Sequence, residues 1–310
     1  MNGAAVKTYR KGRWGRDFKR HWLLYLMFLP TLLFFLLFCY VPMYGILMAF
    51  FDYKPALGFS GSRFVGVDQF KYFFDSIFLN RILYNTFFLN LWDVIFAFPA
   101  PIIFALILFE IKSNKIKRSV QFVTYMPFFI SLVVVCGMIF DFSQPESGLF
   151  NNILAVFGAE RRMYLNDPKY YFFIHIVSGV WQNLGFASII YFAALCGISP
   201  ELYDSASIDG AGKFRTIWSI TLPSILPVIT IMFILRMGNM FNVGFEKSYL
   251  LKTTANSSRS EVIATFVYDR GLKAGNWGYG TAVGLMNAAV NFLFLWTTNF
   301  FAKRTQTSLW

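Results

Sequence analysis

Two sets of residues in this chain have types and spacings that could do chemistry, and neither has the makeup of a catalytic centre. The first is a polar set inside strongly apolar runs: Asp93, Trp181, Gln182, Asn183, Arg236, Asn239, Asn242, Asn287 and Asn291. An unpaired charge inside a membrane helix costs about 2.5–3.5 kcal/mol on insertion scales, so such residues seldom face lipid. Arg236, Asn239 and Asn242 recur every third residue and Asn287 and Asn291 lie four apart, which predicts one polar stripe on each of two helices. Two uses fit the set. Amides can exchange hydrogen bonds with a passing solute while aromatic faces pack against it. Amides also hold transmembrane helices together, and Asp93 has a ready counter-ion in Arg236 or in a partner chain.

The second set lies between two apolar runs: Asp204, Ser205, Ala206, three residues, Gly210, nine residues, then Ile220, Thr221, Leu222 and Pro223. Ser199-Pro200-Glu201 reads as a helix start, with a capping hydroxyl, a proline at the first position and an acid near the positive dipole end. Leu202 and Ala206 share a face at four-residue spacing, and Asp209-Gly210-Ala211-Gly212 supplies a break. A second short helix follows with Phe214, Ile217 and Trp218 on its apolar face, and Leu222-Pro223 with Pro227 marks the start of the next crossing. Two short helices with exposed apolar faces call for a partner.

Other chemistry is excluded by what the chain lacks. Gly212-Lys213 does not make a phosphate-binding loop, because the required earlier glycine and following hydroxyl are Ser207 and Phe214. His21 and His175 are the only histidines, at the ends of different apolar runs, and Cys39, Cys136 and Cys196 lie singly, as packing residues do. No metal site and no clustered acid, base or nucleophile is expected.

The elements that must position these residues follow from composition. Of 310 residues 56% are apolar, 20% aromatic and 14% charged, more apolar surface than a water-soluble domain can hide. The apolar residues fall in six blocks, 22–50, 82–109, 120–140, 170–196, 220–243 and 279–301. Each is long enough to cross roughly 30 Å of hydrocarbon as a helix, the form that satisfies backbone groups in lipid. The fold class is an all-α integral membrane protein with six transmembrane helices. Pro30, Pro42, Pro99, Pro101 and Pro127 predict kinks, and Gly280 and Gly284 a close helix approach. The first block is too long for a secretory signal core and is read as a retained helix.

Lys and Arg concentrate in the N-terminal tail, at Lys112/Lys115/Lys117/Arg118, at Lys213 and Arg215, and at Lys303 and Arg304. With six alternating helices these all fall on one side, the cytoplasm. The +12 formal charge is thus a topology signal and needs no nucleic acid to explain it. The organisation expected is a cytoplasmic tail over 1–21, a membrane domain over 22–302 that includes the loop at about 199–223, and a cytoplasmic tail over 303–310. Residues 261–268 read as a short amphipathic helix lying along the opposite interface.

With those residues in hand, the chain resembles the permease subunits of ATP-binding-cassette importers. Their cytoplasmic signature is Glu-Ala-Ala, three residues, Gly, nine residues, Ile-x-Leu-Pro. Asp204 and Ser205 depart from it, and Ala206, Gly210, Ile220, Leu222 and Pro223 agree. Tyr40-Val41-Pro42-Met43-Tyr44-Gly45, Phe241-Asn242-Val243-Gly244-Phe245-Glu246 and residues 261–268 are similar to the carbohydrate branch, in particular the polysaccharide-transport type.

The resemblance implies a type I ABC importer permease fold in the plasma membrane, without catalytic activity of its own. The implied partners are a second, different permease chain, an ATPase dimer that carries the ATP and magnesium, and an extracytoplasmic solute-binding protein. The implied substrate is a sugar or oligosaccharide, for which the polar set would line the path. ATP binding would draw the loops together and open that path outward, and hydrolysis would reset it. An ion-coupled secondary transporter would more often show two related halves with broken helices, and would not need the loop.

Overall fold

A computed structural model describes residues 13–242 and 244–303, with side chains from residue 20 onward. Lys7, Arg10, Lys11, Val243 and Arg304 therefore lie outside the described residues. Five helices long and apolar enough to cross a membrane span Arg20–Phe50, Leu79–Glu110, Pro168–Cys196, Lys213–Met237 and Trp277–Ala302. The third crossing is a broken pair, Asn114–Phe129 and Leu132–Phe142, whose halves are bent by 95°.

The prolines explain the difference between continuous and broken crossings. Wide turns at Phe35–Tyr40, Asp93–Ala97 and Ile217–Thr221 precede Pro42, Pro99 and Pro223. After each, a backbone N–H reaches back five residues: Val41 to Leu36, Phe98 to Asp93 and Leu222 to Ile217. The extra residue in the turn relieves the clash a proline ring makes with the carbonyl four residues back. Pro30, Pro42, Pro99 and Pro101 consequently sit in crossings that continue as helix. The sharp bend falls at Pro127, where a tight turn over Met126–Phe129 runs into extended backbone at Ile130 and Ser131.

The second and fourth crossings pack lengthwise. Ile102 and Ala105 of one meet Tyr191 and Leu195 of the other, with Ile225 of the fifth crossing closing the cluster. Towards the opposite end Leu89, Cys136, Tyr171, Leu251 and Val262 form a second core. A β-carbon on Gly185 would stand 2.2 Å from the Thr124 carbonyl oxygen, so the fourth crossing rests directly on the backbone of the broken one. Cys136 packs as expected; Cys39 and Cys196 are exposed and do not.

One expectation is corrected at the periphery. Residues 261–268 do not lie along an interface: Ile263–Phe266 packs into the bundle with Val262, Ile263 and Phe266 buried, and continues as Val267–Lys273 towards an exposed end. Gly271 on this helix abuts Gly280, where an added β-carbon would come within 2.9 Å of its Cα, while Gly284 has no such neighbour. A small antiparallel ribbon, Phe51–Asp52 with Arg63–Phe64, pairs Phe51 with Phe64 in an otherwise helical molecule.

Candidate functional site

At one end of the bundle, Pro200–Ile208 forms the first helix of the loop. Gly210 ends it with a left-handed φ of 70°. The Ala211 N–H donates to the Ala206 carbonyl at 2.9 Å and the Gly210 N–H to the Ser207 carbonyl at 3.1 Å, the paired bonds of a Schellman motif with glycine at the left-handed position. Ser199 occupies the cap position, but its exposed hydroxyl makes no capping bond.

Leu202 and Ala206 do not share an environment: Ala206 is buried and Leu202 exposed. Tyr203 holds the helix to the bundle through Thr221 Oγ1 at 3.2 Å and a tilted ring contact with Phe109, while Lys213 Nζ reaches Glu110 at 3.1 Å. The expected second short helix is not separate. Lys213–Thr216 runs through the wide turn into Leu222–Met237, so Ile220, Leu222 and Pro223 lie within the fifth crossing. Ile208, Phe214 and Trp218 are 87%, 82% and 71% exposed, an apolar surface projecting from this end beside exposed Asp204 and Ser205.

Within the bundle lies a cavity of about 410 Å³, in the size range of small-molecule sites. Asp93, Gln182, Asn183, Arg236 and Asn242 line it, together with Asn90, Phe128, His175, Gly179 and Lys247. Arg236 Nη2 meets Asp93 Oδ2 at 2.5 Å and donates to Asn90 Oδ1 at 3.2 Å. Asn183 bonds back to the Gly179 carbonyl at 3.0 Å. Gln182 Nε2 donates at 3.1 Å to the Ile130 carbonyl, which the break in the third crossing leaves without a helical partner.

The other predicted residues are placed elsewhere. Trp181 is 45% exposed and is not part of the cavity wall. The expected stripe on the fifth helix fails because that helix ends at Met237, leaving Asn239 and Asn242 in the following turn. Asn239 donates to the Leu235 carbonyl at 3.1 Å and accepts from Asn242 at 3.4 Å. Asn291 is buried and accepts the Phe241 N–H at 2.7 Å, fixing that turn, while Asn287 reaches Asn242 at 3.3 Å.

Sequence reading missed Lys247, His175 and Asn90. Lys247 falls one residue past the quoted Phe241–Glu246 stretch, in a segment whose mixed charges gave no sign that this lysine turns inward. It sits on the short helix Phe245–Leu250 and donates to the His175 carbonyl at 2.7 Å. Burial pushes its ammonium down to about 8, with Cys136 and Asp93 pulling weakly the other way.

The opposite end is closed by charge. Arg81 pairs with Glu261, Lys252 bridges Glu261 at 3.5 Å and Asp269 at 2.8 Å, and Asn85 donates to the Glu261 carbonyl at 2.9 Å.

Residues 77–307 match the family described as binding-protein-dependent transport system inner membrane component. Protein LplB of Bacillus subtilis (strain 168) is 39% identical over 302 residues, covering 97% of this chain and 95% of that protein. The polygalacturonan/rhamnogalacturonan transport system permease protein YteP of the same organism is 40% identical over 281 residues, 91% of this chain and 88% of YteP. Among solved structures, a chain of a bacterial ABC transporter involved in the import of the acidic polysaccharide alginate superposes with a TM-score of 0.88 at 38% identity, covering 94% of this chain and 99% of that one. A second structure, of a bacterial alginate ABC transporter in complex with alginate pentasaccharide-bound periplasmic protein, gives a TM-score of 0.86.

Proposed function

We infer that this chain, which belongs to the family of binding-protein-dependent transport system inner membrane components, forms half of the path of an ATP-driven importer for a sugar or oligosaccharide. It is a multi-pass membrane permease subunit with the fold of type I ABC importers, and such subunits are not themselves enzymes. The observation that carries the coupling role is the uncovered apolar surface of Ile208, Phe214 and Trp218 on a loop anchored to the second and fifth crossings. One such loop fits one ATPase, so an ATPase dimer calls for a second permease, a different chain that completes the path. A solute-binding protein delivers the sugar at the opposite end.

Sidedness follows the basic residues: the loop at 199–223 and both termini face the cytoplasm. Asp204, Ser205, Ala206, Gly210, Ile220, Leu222 and Pro223 form the coupling element. Because the helix from Lys213 is continuous with the fifth crossing, a push on the loop is delivered to Arg236 near that helix's far end. Asp93, Gln182, Asn183, Arg236 and Asn242 face the solute. The test is ATP-dependent uptake of labelled oligosaccharides into vesicles holding this chain with its second permease, ATPase and binding protein, comparing wild type with Gly210→Val. Uptake that the variant abolishes while the complex still assembles is the expected result. Normal uptake by the variant would remove the coupling role, and absence of any sugar uptake by a complex that hydrolyses ATP would remove the carbohydrate.

A further inference from the structure

We propose that the cavity recognises a carboxylate-bearing sugar, a uronate unit whose carboxylate is the counter-ion of Lys247. This rests on the carbohydrate reading of the cavity and narrows it. The wall carries two cations, Arg236 and Lys247, and one carboxylate, Asp93. Asp93 is taken by Arg236 at 2.5 Å. Lys247 is 8% exposed, and among the described residues no carboxylate forms an ion pair with it. Its sequence neighbour Glu246 is exposed, and its only hydrogen bond among the described residues goes to the His175 carbonyl, one of three an ammonium can donate.

A buried charge without a partner is costly, and the depressed ammonium pKa reflects that cost. The groups around it are short of partners too. Both ring nitrogens of His175 and the Nε of Arg236 are buried without a hydrogen bond among the described residues, although His175 and Arg236 line the cavity. Orphaned groups of this kind are costly, so the polar groups around the lysine offer it no compensation. The wall is also cut away at the lysine. A β-carbon on Gly179 would stand 3.1 Å from Lys247 Nζ, so the bare glycine leaves the ammonium room on the cavity side. A neutral sugar could fill the hydroxyl-binding positions but would leave the lysine uncompensated.

The test uses the complete importer in proteoliposomes and a pool of oligosaccharides cut from pectin, alginate, xylan and starch, with each member that enters read by mass spectrometry. The same pool after carboxyl reduction is the control. Wild type is expected to admit uronate-bearing members and to lose at least tenfold in their uptake once they are reduced. Lys247→Gln, which can still donate to the His175 carbonyl, is expected to lose a similar factor for the acidic members, while Lys247→Arg retains most of the uptake. Recovery of each intact complex separates a lost contact from a lost fold, and the Arg variant keeps the test valid if the Gln variant fails to assemble. Equal entry of reduced and native members, or undiminished acidic uptake by Lys247→Gln, overturns the uronate assignment while the carbohydrate reading stands. If no member enters although the complex hydrolyses ATP, the carbohydrate reading falls and takes this assignment with it.

Discussion

Gly210 is the residue whose identity the backbone demands most directly, because its φ of 70° places any side chain in the left-handed region. No atom lies within 4 Å of a β-carbon built there, so the cost of substitution is conformational and not a clash. That cost is roughly 1–2 kcal/mol for an ordinary residue and more for a β-branched one. Gly210→Asn is therefore expected to couple nearly normally, Gly210→Ala partly and Gly210→Val least, in the ratio of sugar imported to ATP hydrolysed. The Asp93–Arg236 pair gives a second series. Arg236→Met leaves a part-exposed carboxylate unpaired and is expected to lower stability by about 1–3 kcal/mol, and adding Asp93→Asn recovers much of it, measured by thermal unfolding in detergent. Lys247 gives a pH dependence. Its folded pKa lies near 8, below the ordinary 10.5, so below pH 8 the ammonium is charged in both states and its full burial cost applies. Between 8 and 10.5 the folded protein releases the proton first, and stability rises with pH. Lys247→Met is expected to flatten that rise in the melting temperature.

At the scale of elements, the broken third crossing shows what a proline can and cannot announce. Pro30, Pro42, Pro99, Pro101, Pro127, Pro223 and Pro227 all lie within the crossings, yet only Pro127 coincides with a 95° bend. Wide turns absorb three of the others, and a turn of that kind leaves no mark in residue type. At the break the part-buried Ile130 carbonyl is met by Gln182, so a residue chosen as a solute contact also carries a structural bond. Gln182→Leu is expected to leave that carbonyl unpaired and cost about 1–3 kcal/mol, read as a lower melting temperature of the assembled complex. Gly185→Ala tests the same junction, since its methyl would collide with the Thr124 backbone and drive the broken crossing away from the fourth.

For the whole molecule, an apolar surface at one end and a charge-laced closure at the other give the path a polarity. With a cysteine-free background, Trp218→Cys is expected to react with a membrane-impermeant maleimide in inside-out vesicles and Thr254→Cys in right-side-out vesicles; the reverse pattern would invert the assigned topology. The first crossing adds a further constraint, because none of its most apolar stretch is buried within this chain. Lipid or another protein must cover it.

The sequence by itself determined the class, the number of crossings and the loop. Those depend on quantities that composition and short spacing encode directly: apolar length against bilayer thickness, and the fixed offset between Ala206, Gly210 and Pro223. It also offered Arg236, beside a partner chain, as a counter-ion for Asp93, since opposite charges in an apolar setting have few other partners. The tertiary structure alone decided which polar residues share one cavity. Arg236 and Asn242 were placed on a single helix by periodicity, but the helix stops between them and the turn turns Asn242 back inward. Lys247, His175 and Asn90 come from three segments far apart in the chain, and their convergence depends on how those segments pack. Residue spacing reports neighbours along one helix; it holds no information on which face of another helix arrives opposite, and the counter-ion balance of the cavity is set there.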